Sequence, residues 1–447
     1  MAATSIRPPG PETPDWLQKL QYAFQFTRYL DRVGAYGDVV RAPLIGNNPN
    51  TFLVGSPAGI KQLLSGDGGR IGSPPNSHLR PIVGDTSLFV LEGERHRRER
   101  RLLMPSFHSE RIKDYGHIIR DLTLCALADR KFGIPFPIRE VMQNISLDVI
   151  LKVVFGVVGG NRFDLLKSYI LRLAETMRSP LFAACLFFPI LQKPYGTWAY
   201  FKSLQQKIDE LLYAQIRDRR QVKADAAPGT DILSLLIAAR DENGDAMTDG
   251  ELRDELMTLL LAGNETTANT AAWAMYGIYS NPEVHKRLRA ELLELGETPD
   301  PAVIAQLPYL NAVCNESLRL YPVAVLTTPR MVKAPVVIQD YAFEPGAILY
   351  GSIYLTHRRP DLYPDPLAFK PERFLERSYT PFEFLPFGGG ERRCIGEALA
   401  LFELKLIVAG LVVNSALQLA DQRPEIPRRS GVIVTPGRGV PMVLQHD

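Results

Sequence analysis

Cysteine is scarce in this chain: Cys125, Cys185, Cys314 and Cys394 are the four among 447 residues. They are too few and too irregularly spaced for a disulfide framework or a zinc-ligand set, and they point to a reducing compartment. Charge of one sign is also missing. The 51 basic and 49 acidic residues leave a net charge of +2, so nothing directs the chain toward nucleic acid. No run approaches the roughly 18 apolar residues of a bilayer span, and the opening MAATSIRPPGPETP lacks the apolar centre of a signal peptide. No Gly/Ser linker, repeat or low-complexity block divides the chain. Its length would allow two or three domains, yet residues 1–447 read as a single domain with a Pro-rich segment at 1–14. The expectation is a soluble, cytoplasmic monomer without a transmembrane anchor.

What is present is mostly helical periodicity. Trp16 to Val33, Tyr115 to Ala128, Glu140 to Phe155, Arg162 to Arg178 and Tyr200 to Lys223 read as helices. Val39–Val40 and Thr51 to Val54 read as short strands around a turn at Asn47, Asn48 and Pro49, with a short helix at Pro57 to Leu64. Ile71 to Val90 and Ala224 to Thr230 read as loops, and Val336–Ile338 and Ala347 to Tyr354 as strands. Leu181 to Leu191 is apolar but interrupted by Pro189, which leaves open a core segment, a channel wall or a lipid-touching patch. The longest periodic segment starts at Thr248, where Glu251 completes a capping box, and ends near Ser280. Leu252, Leu256, Leu259, Leu260, Gly263, Thr266, Thr267, Thr270 and Ala274 trace one face of it.

Two stretches carry chemistry. In Leu385 to Ala400, LPFGGGERRCIGEALA, glycines permit close backbone approach and Cys394 stands beside Arg392 and Arg393 at a helix start. A thiol so placed is expected to have a depressed pKa and to serve as nucleophile or metal ligand, against the plainer alternative of a buried structural cysteine. In the long helix, Ala262-Gly263-Asn264-Glu265-Thr266-Thr267 sets polar side chains in an apolar run. A hydroxyl there can bond the carbonyl one turn back and make room for a ligand. Five arginines in the seven residues 95–101 suggest a solvated helix face or an anion site, with His96 and Arg100 on one side. Glu316 and Arg319 are i, i+3 neighbours, read as a surface pair of small energetic weight.

Phe387, Gly390, Arg392, Cys394 and Gly396 fit F-x-x-G-x-R-x-C-x-G, which resembles the haem-binding loop of the cytochrome P450 family. Ala262 to Thr267 resembles that family's oxygen-activation segment, and Glu316, Arg319 and Arg373 resemble its E-x-x-R and P-E-R-F elements, which brace the cysteine loop. The resemblance implies a mainly α fold with a small β region, the haem lying between the long central helix and the helix after the cysteine. It implies haem b (iron protoporphyrin IX), with Cys394 as the iron ligand and Phe387 and Gly388 in its loop. Arg392, Arg100, Arg330 and His96, the last in place of a usual Trp, would hold the propionates. It implies Thr266 holding dioxygen and water, and Glu265 relaying protons. Phe89, Leu259, Ala262, Ala324, Leu326 and Ile433 are the implied substrate contacts. Members with a membrane anchor carry it ahead of a hinge like Pro8–Pro11; here only the hinge is present.

The activity so implied is a haem-thiolate monooxygenase that hydroxylates a hydrophobic molecule such as a long-chain fatty acid or a terpenoid. No reductase segment is recognisable, so electrons would come from a separate ferredoxin with its reductase or a flavodoxin, docking at a basic patch. A polyketide or macrolide substrate, or peroxide in place of the electron donor, is the alternative. His357 is tempting as a ligand but reads as structural. A cysteine hydrolase lacks a His partner for Cys394, and a non-catalytic haem carrier would have no use for Glu265–Thr266.

Overall fold

The computed structural model describes residues 7–44, 48–65, 69–74, 79–156, 159–187, 189–221 and 230–446. Asn47 of the expected turn, residues 224–229 of the expected loop and the first six residues of the Pro-rich segment lie outside them. The fold is 55% helical with small sheets, as the mainly α expectation requires. No helix among the described residues is long and apolar enough to cross a membrane.

The central helix, Asp249–Tyr279, organises the rest. Its capping box is complete: Thr248 Oγ1 accepts from the Glu251 N–H at 3.2 Å, and Glu251 Oε2 accepts from the Thr248 N–H at 2.7 Å. Its 31 residues reach roughly 46 Å at 1.5 Å each. It packs on the helices Ile138–Phe155, Gly196–Gln221, Pro308–Leu320 and Glu397–Asn414, so burial is not confined to the one expected face. Arg253, Asp254, Glu255 and Thr258 are buried as well.

Those polar residues fasten the segment before the arginine-rich helix Gly93–Leu103. Thr86 donates its N–H and its hydroxyl to Asp254 Oδ2, at 2.9 and 2.7 Å. The Ser87 and Thr258 hydroxyls lie 2.7 Å apart, and the Leu88 N–H reaches Glu255 Oε1 at 2.6 Å. Residues 86–88 of the expected loop are therefore fastened to the helix, and its described residues contain a strand, Ile71–Gly72, and a helical turn, Arg80–Val83, with residues 75–78 lying outside those described.

A five-stranded sheet runs in the order Val39–Arg41, Thr51–Val54, Ile348–Gly351, Arg330–Val332, Ile71–Gly72, parallel only between its second and third strands. The strand expected to reach Tyr354 stops at Gly351, because Ser352 caps a helical turn at Ile353–Thr356. The helix expected over 16–33 is two, Asp15–Phe24 and Phe26–Gly34, broken at Gln25. In the 181–191 segment, Phe182 and Cys185 are buried while Leu181, Ile190 and Leu191 are exposed, so it is part core and part surface.

The Glu316–Arg319 pair is not a surface feature: both side chains are completely buried. Two Arg319 nitrogens meet the two Glu316 oxygens at 2.7 Å each, and Arg373 Nε adds a third contact at 3.2 Å. Arg319 also donates to the carbonyls of His357 and Pro366 at 2.8 Å each and of Ala368 at 3.2 Å. The ring of His357 continues the brace, Nδ1 at 3.2 Å from the Arg319 carbonyl and Nε2 accepting from the Leu385 N–H at 3.0 Å. Burial and the neighbouring arginines push its pKa well down, so it is neutral and structural.

Removing one partner of such a pair leaves an uncompensated buried charge. Glu316→Ala is expected to destabilise the protein by about 3 to 5 kcal/mol, read by urea unfolding. A change below about 1 kcal/mol, as for a surface pair, would contradict the brace.

Candidate active site

The cysteine loop is built by three glycines with different tasks. Gly388 and Gly390 have φ of 69° and 66°, which side-chain-bearing residues rarely adopt. A Cβ on Gly390 would stand 2.6 Å from the Leu64 carbonyl oxygen, and one on Gly389 2.8 Å from the Leu64 side chain. The loop closes with Cys394 N–H donating to the Phe387 carbonyl at 3.0 Å, and the helix Glu397–Asn414 follows, burying Leu399, Phe402 and Leu406.

Cys394 is exposed, yet protein surrounds it closely enough that burial is the main influence on its thiol. Both observations hold if the sulfur faces an opening inside the fold. The central helix behaves likewise: Leu261, Ala262, Gly263, Glu265 and Thr266 are part-exposed between turns that are buried. Ala324 is exposed and Phe387, Gly388, Leu326 and Ile433 are half-buried, while Leu259 is buried and Phe89 is exposed.

The expected depressed thiol pKa is not found. Burial raises it, and this outweighs the Gly396 N–H, Arg100 and Arg393, which pull it down. Arg393 is engaged elsewhere, donating to Glu397 at 2.6 and 2.7 Å. A thiolate at this position therefore needs a cation of its own, which a metal centre supplies.

Around that opening stand Arg100, Arg330, Arg392 and His96. The three arginines all depress the pKa of His96, which burial and their charge bring to about 4, so the ring is neutral at pH 7. Arg330 is itself pulled down to about 10, by burial first and Arg392 second. Arg392 donates to Ser73 Oγ at 3.0 Å and to the carbonyls of Leu88 and Leu91 at 2.9 and 2.5 Å. Arg330 donates to Thr328 Oγ1 at 2.8 Å and the Gly389 carbonyl at 3.3 Å. Among the described residues none of these arginines forms an ion pair, and the side chain of Arg100 has no hydrogen bond either. Glu92 and Glu391 act on Arg392, and Glu391 on Arg330, only through space, so three cations gathered without a direct carboxylate partner fit a ligand that brings its own anions. Together with a cysteine facing the same interior, they fit a porphyrin with two propionates.

Of the other arginines of that helix, Arg95, Arg97 and Arg101 are exposed, as a solvated face requires, whereas Arg98 is tied to Asp241 at 2.6 Å, Glu99 at 2.5 Å and Glu251 at 3.2 Å.

On the central helix Thr266 Oγ1 donates to the Ala262 carbonyl at 2.6 Å, the back-bond expected from the sequence, and Thr270 Oγ1 to Thr266 O at 2.8 Å. The helix stays α throughout, so the room there comes from small side chains rather than a π-bulge. The Glu265 carboxylate pairs with Arg178, at the end of the helix Asn161–Arg178, and lies 3.5 Å from Gln143 Nε2. Beneath, Ser146 donates to the Gly263 carbonyl at 3.3 Å and bonds Glu403, which is buried with Oε1 unpartnered among the described residues. Nothing in the sequence pointed to Arg178, Ser146 or Glu403, since they come from three other helices.

The sequence profile of the Cytochrome P450 family matches residues 8–441, and the chain belongs to that family. Cytochrome P450 135B1 of Mycobacterium tuberculosis is 32% identical over 436 residues, 97% of this chain and 90% of that protein. Cytochrome P450 135A1 of the same organism is 31% identical over 99% of this chain and 96% of its own length. The structure of a retinoic acid bound cyanobacterial CYP120A1 superposes with a TM-score of 0.82, covering 99% of both chains at 23% identity. The fold is therefore that of a P450, and the family's chemistry is haem-thiolate monooxygenation, supplied with electrons by a redox partner.

Two outcomes test this site. Arg100→Gln and Arg330→Gln, singly and together, should weaken haem retention, read as transfer of haem to apomyoglobin, with folding intact by circular dichroism; unchanged transfer rates would remove the propionate assignment. Burial raises the Glu403 pKa from 4.5 to about 8, so the folded protein holds this proton more tightly than the unfolded chain. Its cost to stability is absent below about pH 4.5 and grows until about pH 8. Glu403→Gln should therefore gain on the parent by up to about 1.4 kcal/mol per pH unit across that window. Parallel stability curves for the two would contradict it.

Proposed function

We propose that this P450 hydroxylates a long-chain fatty acid or terpenoid-like molecule, as a monomeric cytoplasmic enzyme of one domain. The reaction is RH + O2 + 2 electrons + 2 protons giving ROH + H2O. One observation carries the substrate class: every candidate contact (Phe89, Leu259, Ala262, Ala324, Leu326, Ile433) is apolar. Glu265, the charged residue among the opened turns, is paired with Arg178. An apolar, elongated ligand agrees with the retinoic acid named for the cyanobacterial structure, a carboxylated isoprenoid.

Haem b, bound through a thiolate, supplies dioxygen activation. Cys394 is the ligand, Phe387 and Gly388 shape its loop, and Arg100, Arg330, Arg392 and His96 hold the propionates. The Thr266 hydroxyl donates to the Ala262 carbonyl and so presents its lone pairs to a water in the opening. Glu265 is the proton source behind it. The apolar contacts exclude water and orient the C–H bond to be oxidised. A ferredoxin with its reductase, or a flavodoxin, is the donor; Arg95, Arg97 and Arg101 expose positive charge on the helix that bears Arg100.

Reduced protein under carbon monoxide should show the red-shifted Soret band of thiolate ligation, absent after Cys394→Ala. Titration with fatty acids, terpenes and macrolides should give a saturable spectral shift for the first two; a shift with macrolides alone would overturn the substrate class. Thr266→Ala should lower product formation by about 10² with the substrate Kd unchanged. Full activity in that variant, or equal turnover on peroxide without a donor, would remove the Thr266–Glu265 roles.

A further inference from the structure

Behind Glu265 the protein surface opens into a second cleft. The start of the helix Ile138–Phe155, the end of the helix Asn161–Arg178, and the hairpin Pro427–Ser430/Ile433–Pro436 meet there. Its charged lining is Arg139, Glu140, Arg178 and Arg438. Arg438 is saturated, with Asp421 at 2.9 and 3.0 Å and the Arg423 carbonyl at 2.7 Å. Glu140 is exposed at the rim and forms no ion pair among the described residues.

Arg139 and Arg178 are in a different position. Arg139 is half-buried, and no hydrogen bond or ion pair of its side chain is found among the described residues. Burial and the charge of Arg178 both act against its ionised form, with Glu265 and Glu140 opposing them. Arg178 has one carboxylate, Glu265, which approaches from the interior. Arg178 is thus held by one inward carboxylate, Arg139 feels Glu265 and Glu140 only through space, and the remaining N–H donors of both have no protein acceptor among the described residues. Half-buried arginines left this way favour a planar oxyanion that can take paired N–H donors.

We propose that this cleft binds a small oxyanion, a carboxylate or a phosphate, between Arg139 and Arg178, in competition with the side chain of Glu265. The competition follows from geometry: an occupant drawing on Arg178 weakens its hold on Glu265. On the proton-delivery reading given above, on which this consequence alone rests, the occupant would free the carboxylate next to Thr266. The binding site itself does not depend on that reading.

The experiment is isothermal titration of the haem-loaded protein with inorganic phosphate and, separately, with acetate, at constant ionic strength set with chloride. Saturable binding of one equivalent is expected for at least one of them, and which one binds distinguishes the phosphate source from the carboxylate source. Arg139→Gln should weaken it at least tenfold. Arg139→Lys, which keeps the charge but not the fork, should weaken it less and guards against misfolding of the first variant. Glu265→Gln should tighten binding severalfold, because the internal competitor has lost its charge. Arg162→Gln, which removes a surface pair with Asp218, should leave it unchanged. No saturable binding of either anion, equal affinity in Arg139→Gln, or equal affinity in Glu265→Gln would each overturn the proposal. Because the readout is binding, a turnover defect in Glu265→Gln without anion binding would retain the proton role and sink only the cleft.

Discussion

A fully buried ion pair, Glu316 with Arg319, sets the geometry on which the rest of this structure depends. Its favourable energy is not the point, since burying two charges costs about as much as their attraction returns. What matters is that every remaining donor of Arg319 is aimed at a carbonyl of the chain between 357 and 368. Arg373 closes the other side, and neutral His357 passes the constraint to Leu385, where the cysteine loop begins. Leu385 in turn accepts from the Gly388 N–H, at the first of the two left-handed glycines. The start of the loop that carries Cys394 is thereby tied, through hydrogen bonds, to a helix remote from it in sequence. An apolar core of equal volume would be as stable, but it would not fix direction.

The central helix solves a second problem, that of an opening inside a packed protein. It is held by polar contacts at its N-terminal half, where Asp254, Glu255 and Thr258 fasten the segment 86–88. That segment then offers the Leu88 and Leu91 carbonyls to Arg392 on the cysteine side. The opposite walls of the site are thus coupled by a short strap of backbone. Little more than a turn further along, Ala262 and Gly263 leave space, and Thr266 satisfies its hydroxyl within the helix, so no partner has to cross the gap.

How much of this was legible in the residues depended on distance along the chain. The capping box, the long helix, the short helix Pro57–Leu64 and the glycine-rich cysteine loop are local signals, and the structure has them in place. Identifying the family also needed only short motifs. What failed was environment: Glu316–Arg319 has the same i, i+3 spacing on a surface or in a core, and spacing carries no burial. The thiol pKa failed for the same reason, because flanking arginines predict a depressed value only if they face the sulfur, and Arg393 faces Glu397. Arg178 could not be found from sequence at all, as its meeting with Glu265 is created by the packing of two helices 87 residues apart. The splits at Gln25 and Ser352 reflect single backbone angles and a serine cap, which periodicity averages over.

The distribution of charge around Cys394 gives the last step. Burial favours a neutral thiol, and neither Arg100 nor Arg393 overcomes it. Yet Arg100, Arg330 and Arg392 remain gathered nearby without an ion pair among the described residues, and burial first, then their charge, holds His96 neutral. Taken as a free protein surface, this arrangement is unfavourable on both counts. The haem-thiolate group that the family carries would answer both at once: its metal would stabilise a Cys394 thiolate, and its carboxylates would offset the gathered guanidinium groups. The cluster and the cysteine are thus two halves of one electrostatic condition, and each is costly without the other. Arg100, Arg330 and Arg392 thus enter the same electrostatic condition as Cys394, although they come from a helix, a strand and a 3-10 turn far apart in the chain.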